Sequence, residues 1–89
     1  MHRKDHSELD EALQKAAKQV HVGEQYIHYK MGPEKPYIVI AIALMEENTE
    51  PCVVYKALHG KPLTWIRPLH NFLEIIEESG KKIPRFQKI

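Results

Sequence analysis

The sequence predicts a mainly β fold, a small barrel of about five strands with an amphipathic α-helix added at its N-terminus. Three observations carry this expectation. Apolar residues recur at helical spacing only within the first twenty positions. After Gly23 the pattern changes to short runs rich in Ile, Val and aromatics, separated by polar turns. Closing such short strands into a barrel hides edges that would otherwise template further pairing. With 89 residues there is room for one compact domain. The chain therefore divides into a helical extension, residues 1–20, and a β domain, residues 21–89.

Taken in order, residues 1–6 carry no pattern. Ser7 is the expected N-cap of a helix over residues 8–18, with Glu8, Asp10 and Glu11 near its N-terminus and Lys15 and Lys18 towards its end. Its stripe of Leu9, Leu13, Ala16 and Val20 is narrow and rich in alanine. It suits packing on the chain's own domain or, as the sharper reading, a homodimer contact through the N-terminal helix. Residues 26–30 form a first strand, ended by the Gly32-Pro33 loop. Residues 37–45 are the strongest strand, with Ile38, Ile40, Ile42 and Leu44 on one face and Tyr37, Val39, Ala41, Ala43 and Met45 on the other. Residues 52–58 and 63–67 follow as a pair joined by the His59-Gly60-Lys61-Pro62 turn, and Pro68 ends the second of them because it lacks an N–H. Residues 69–72 make one helical turn. Residues 73–78 and 81–86 form a hairpin across Ser79-Gly80, in a register that sets Glu78 against Lys81, Glu77 against Lys82, Ile76 against Ile83 and Glu74 against Arg85.

Composition excludes several function classes. Thirteen basic against twelve acidic residues lack the basic excess of a dedicated nucleic-acid binder. The longest apolar run, residues 37–45, is far shorter than the roughly 20 residues of a membrane helix, and the charged N-terminus lacks a signal-peptide core. Cys52 is the one cysteine, so no intrachain disulfide forms; a small buried apolar role fits it better than a nucleophile. These features are those of a soluble cytoplasmic protein. The six histidines do not make a metal site: His2 and His6 are an isolated pair, and His21, His28, His59 and His70 lack cysteine or carboxylate partners at ligand spacing. His59-Gly60-Lys61 lacks the glycine-rich run of a phosphate loop. The carboxylates Glu46, Glu47 and Glu50 lie in a loop tip and Glu74, Glu77 and Glu78 beside a hairpin, as a solvated face rather than in a catalytic cleft. No cofactor is expected.

Four segments in fixed order carry a resemblance: Tyr26-Ile27-His28-Tyr29-Lys30; Val53-Val54-Tyr55-Lys56-Ala57-Leu58; Trp65-Ile66-Arg67-Pro68-Leu69 with Phe72; and Gly80 through Pro84-Arg85-Phe86. Over residues 22–89 the sequence resembles the bacterial DUF1653 family of unknown function. The resemblance implies a compact SH3-like β-barrel and no established activity. Here Met31 intervenes before Gly32, where the family tends to place Gly directly, and the N-terminal helix lies outside the resemblance.

The distinctive chemistry is aromatic and basic. Tyr26, Tyr55 and Trp65 each have a cation close in sequence, Lys30, Lys56 and Arg67, and such pairs can stack a planar group or hold a peptide. Alternation puts Trp65 and Arg67 on one strand face with Ile66 opposite; Ile66 is expected in the core and Trp65 exposed. The bland alternative makes the aromatics core and Arg67 a structural clamp. The candidate ligand-binding residues are Trp65, Arg67, Tyr55, Lys56, His28 and Lys30. The leading reading is a non-enzymatic module binding a small molecule, peptide or protein. A small RNA- or DNA-binding protein stacking bases on the same aromatics is the alternative, and a basic groove across Lys30, Lys56, Arg67 and Arg85 would favour it. An enzyme centred on His28 is a third, for which a closed polar pocket would speak.

Overall fold

The computed structural model describes residues 5–89. In chain order the elements are α1 (His6–Gln19), β1 (Gln25–His28), β2 (Tyr37–Leu44), β3 (Pro51–Ala57), β4 (Thr64–Pro68), α2 (Leu69–Phe72), β5 (Ile75–Glu78), β6 (Lys81–Pro84) and β7 (Phe86–Lys88). Five strands form one antiparallel sheet in the order β4-β3-β2-β1-β7, and β5 and β6 form a separate hairpin. The fold is mainly β with an N-terminal helix, as expected. The sheet is not closed into a barrel: β4 and β7 are its two edges. The described residues hold seven strands rather than about five: each of the six β runs marked in the sequence forms a strand, and the last divides at Arg85, where Phe86 leaves the hairpin to pair with β1. No helix among the described residues is long and apolar enough to cross a membrane.

The helix starts two residues earlier than expected, and Ser7 does not cap it. Asp5 takes an extended conformation, and its carboxylate accepts the Glu8 N–H at 2.8 Å. The Ser7 hydroxyl donates to that carboxylate at 2.9 Å. Asp5 and Glu8 have the spacing of a capping box, in which the cap side chain satisfies an orphan N–H of the first turn. His6 is thus helical, and its expected companion His2 lies outside the described residues. Along the stripe, Ala16 and Val20 are fully buried while Leu9 and Leu13 are half-buried, and α1 lies against β2 and β3 of its own chain.

Strand β2 departs from simple alternation. Val39 pairs with Tyr55, but Ala41 pairs with Val54, so one extra residue is inserted and Ile40 is 46% exposed. A bulge of this kind exchanges the faces beyond it. Tyr37 and Val39 before the bulge, and Ile42 after it, all pack with the core. Both halves of the expected split were apolar, so the pattern could not locate the exchange. Strand β3 runs straight beside it and turns Val53, Tyr55 and Ala57 to the core face.

The core is aromatic. Phe72, from the short helix α2, stacks on Phe86 with centroids 4.1 Å apart and meets Tyr26 and Tyr55 edge-on at 5.5 and 5.6 Å. Edge-to-face contacts of this kind set the positive rim of one ring against the negative face of the next. The Tyr26 hydroxyl is satisfied by the His21 N–H at 2.9 Å. The hairpin takes the register expected from its sequence, Glu78 with Lys81, Glu77 with Lys82 and Ile76 with Ile83. Ser79 and Gly80 both have positive φ, 53° and 77°, which matches the twist of a two-residue hairpin turn. Below them Arg85 donates from its backbone to the Glu74 carbonyl and from its guanidinium to the Glu74 carboxylate at 2.7 Å.

Candidate functional site

Strand β4 positions the site. It pairs Trp65 with Tyr55, Arg67 with Val53, Ile66 with Val54 and Thr64 with Lys56. Trp65 and Arg67 therefore share the face that carries the core, where Tyr55 and Val53 are buried. Ile66 lies on the other face and is 54% exposed, which overturns its expected core role. The aromatic cluster, not Ile66, fills the interior on that side. Trp65 is 51% exposed, whereas its partner Tyr55 is covered by Phe72 of α2. Pro68 is accommodated as the last residue of β4, opposite Cys52. The Ala57 N–H donates to the Leu63 carbonyl, so alternate residues Thr64, Ile66 and Pro68 turn their backbone groups away from β3. The missing proline N–H therefore costs no ladder bond.

A cavity of about 300 Å³ opens where the core face runs past its cover. Tyr55, Trp65 and Arg67 form one side, and His28, Lys30 and Met31, at and beyond the end of β1, form another. Tyr37 and Phe86 complete it. Five of the six candidate residues thus come together. Lys56 does not: it faces the opposite side of the sheet, level with Ile38 and Thr64. Met31, Tyr37 and Phe86 were not foreseen.

Arg67 is both anchor and presenter. Its Nε donates to the Tyr55 hydroxyl at 3.1 Å and its Nη1 donates to the Asn71 side-chain carbonyl. Its guanidinium carbon stands 5.4 Å from the centroid of Phe86, a cation–π contact. Two of the five N–H groups of this planar fork are engaged, which leaves three for a ligand. Tyr55 is only 5% exposed, so it contributes a hydroxyl and a ring edge rather than an open stacking face.

His28 packs edge-on against Phe86 at 4.9 Å and beside Tyr29 at 4.9 Å. Burial, then the positive charges of Arg67, Arg85 and Lys30, hold its pKa below the ordinary 6.5. The neutral ring is therefore the form present at pH 7. Its Nδ1 accepts the Lys30 N–H at 3.2 Å, which assigns the ring proton to Nε2 as a donor. Among the described residues the lining contains no carboxylate, and no cluster of three or more His, Cys, Asp or Glu could hold a metal. Every polar side chain of the lining can donate a hydrogen bond, and Arg67 and Lys30 add positive charge. The arrangement can hold an anionic group beside flat apolar walls.

The family described as protein of unknown function DUF1653 matches residues 24–88. Among solved structures the chain is similar to a DUF1653 protein from Bordetella bronchiseptica, with a TM-score of 0.67 and 26% identity over 80% of this chain and 90% of that one. No curated protein matches.

Proposed function

Since the chain belongs to the DUF1653 family, whose function is unknown, we propose its role from the cavity itself: a non-enzymatic binding module for a ligand with an anionic group and a planar apolar part. One observation carries the reading. The lining joins Arg67, with its free N–H groups, Lys30 and the neutral ring of His28 to the rings of Trp65, Tyr37 and Phe86, with no carboxylate among the described residues. The planar fork of Arg67 suits a carboxylate, sulfonate or phosphate, and Trp65 supplies the apolar contact.

The rival readings have less support. A general base at His28 needs a free ring lone pair, and its Nδ1 already accepts the Lys30 N–H while Nε2 carries the proton. A basic groove for nucleic acid needs Lys56 and Arg85, but Lys56 lies across the sheet and Arg85 is bound to Glu74 and the Asn71 carbonyl. The SH3-like barrel stays part of this proposal, with hairpin β5–β6 in the place of its closing strands. So does a reducing cytoplasm, in keeping with a lone buried thiol at Cys52.

Trp65 is the one tryptophan and lines the cavity, so its emission reports on occupancy. Benzenesulfonate should quench or shift it saturably, and the uncharged benzenesulfonamide should bind about tenfold more weakly, the effect of losing a charge-assisted hydrogen bond. Equal binding of the two, or no saturable change with either, would refute the anionic-site reading.

A further inference from the structure

From the free edge of β4 beside this cavity, we infer that the ligand is an extended peptide segment. It adds as an antiparallel strand to Thr64–Pro68 and directs an acidic side chain to Arg67 and an apolar one to Trp65. The inference rests on the anionic-site reading and names the class of molecule that fills it.

The backbone geometry comes first. Thr64 and Ile66 turn both their N–H and C=O groups away from β3, and neither makes another backbone bond among the described residues. Pro68 lacks an N–H and is the N-cap of α2, whose first turn takes up its carbonyl, so it ends the ladder. The edge thus offers two donors and two acceptors to an incoming strand. Main-chain pairing of this kind supplies affinity in peptide recognition by strand addition, and alternate side-chain pockets supply selectivity.

The edge is also unguarded. Natural edge strands are usually blunted by charge, and the opposite edge and the hairpin follow that rule with Lys88, Glu77, Glu78, Lys81 and Lys82. From Thr64 to Ile66 β4 carries no charge, and Leu63, Trp65 and Ile66 are each more than half exposed.

Register then fixes the motif. Trp65 and Arg67 direct their own backbone groups to β3, so residues of an added strand facing them sit in the close, non-hydrogen-bonded positions, side chains on the cavity face. In the antiparallel sense a residue facing Arg67 is followed two positions later by one facing Trp65. The charge of the cavity selects an acidic residue at the first and an apolar one at the second. The residue between them bonds to the Ile66 backbone, and its side chain lies beside that of Ile66 on the outer face, where a β-branched residue fits. The recognised pattern is acidic, β-branched, apolar.

The probe is the peptide acetyl-Thr-Glu-Val-Leu-Thr-Thr-amide, followed by Trp65 emission. It should bind saturably, and Glu→Gln in the peptide should weaken it. N-methylation of its Val removes the N–H aimed at the Ile66 carbonyl and should weaken binding about tenfold. N-methylation of its Leu removes an N–H that points away from β4 and should change affinity by less than about threefold. Equal effects of the two methylations, or a peptide bound no better than benzenesulfonate, would overturn strand addition while leaving the anionic site intact. If neither the peptide nor benzenesulfonate binds, the cavity reading fails and takes this inference with it. Sedimentation of the chain alone showing a dimer that Ile66→Lys dissolves would assign the edge to a second copy. An oligothymidylate that binds more tightly than the peptide would assign it to nucleic acid. Either result overturns the proposal.

Discussion

One face of the sheet carries two aromatic regions that differ only in what covers them. Around Phe72, the rings of Tyr26, Tyr55 and Phe86 are buried and meet one another edge-on or stacked. Along β4 the same face continues to Trp65, which pairs with Tyr55 yet stays half exposed, with Arg67 two residues on. Phe72 of the short helix α2 covers the first region, whereas in the second α2 holds Arg67 through Asn71 and leaves Trp65 half exposed. Similar residues therefore make a core in one place and a cavity wall a few ångströms away. In a domain this small, stability and binding draw on one aromatic surface, and the extent of the cover separates them.

The largest expected effect sharpens that contrast. Phe72→Ala should cost about 3–5 kcal/mol, the usual result of emptying a buried aromatic site, and in a domain of this size that approaches the whole stability. Trp65→Ala should cost no more than about 1 kcal/mol, the scale of a cross-strand pair. Chemical denaturation of both variants checks the difference. Comparable losses would mean that the β4 region is as much core as the first.

A smaller effect concerns pH. Protonation of His28 is disfavoured in the folded chain, so below the ordinary 6.5 the unfolded chain takes up a proton that the folded one resists. The contribution of His28 to stability is therefore intact above that value and declines as pH falls through it. An anion in the cavity opposes the surrounding positive charges, so benzenesulfonate affinity should rise over the same fall in pH. Titration in the wild type and in His28→Gln checks this: the variant should lose the rise, and an identical profile would separate His28 from the site.

Much of this molecule was readable from local chemistry. The hairpin register follows from three opposite-charge pairs and a Ser-Gly turn, all within a dozen residues. The shared face of Trp65, Arg67 and Tyr55 follows from alternation and a short turn. The rest depended on long-range packing. Nothing in an all-apolar β2 marks where its bulge exchanges the faces. Ile66 read as core because an aliphatic residue suits an interior, yet here four rings fill it. Phe86 read as part of the hairpin, although the Glu74–Arg85 pair already closes that element and frees the next residue to join β1. Lys56 could have been set aside from the sequence, since neighbours on a strand face opposite ways and Tyr55 was already placed.

The central claim is that Arg67, held by Tyr55 and Asn71, presents its remaining N–H groups to a ligand. The direct test is Arg67→Met, which keeps the stem and removes the fork, with benzenesulfonate affinity and melting temperature measured together. The account predicts a melting temperature lower by several degrees, because losing about 1 kcal/mol shifts a domain of this size by roughly 4–8 °C, and an affinity at least about tenfold weaker at a temperature where the variant is fully folded. A folded Arg67→Met variant that binds benzenesulfonate as tightly as the wild type would contradict it: Arg67 would then be a clamp for the chain around Pro68, and the cavity would not be an anion site.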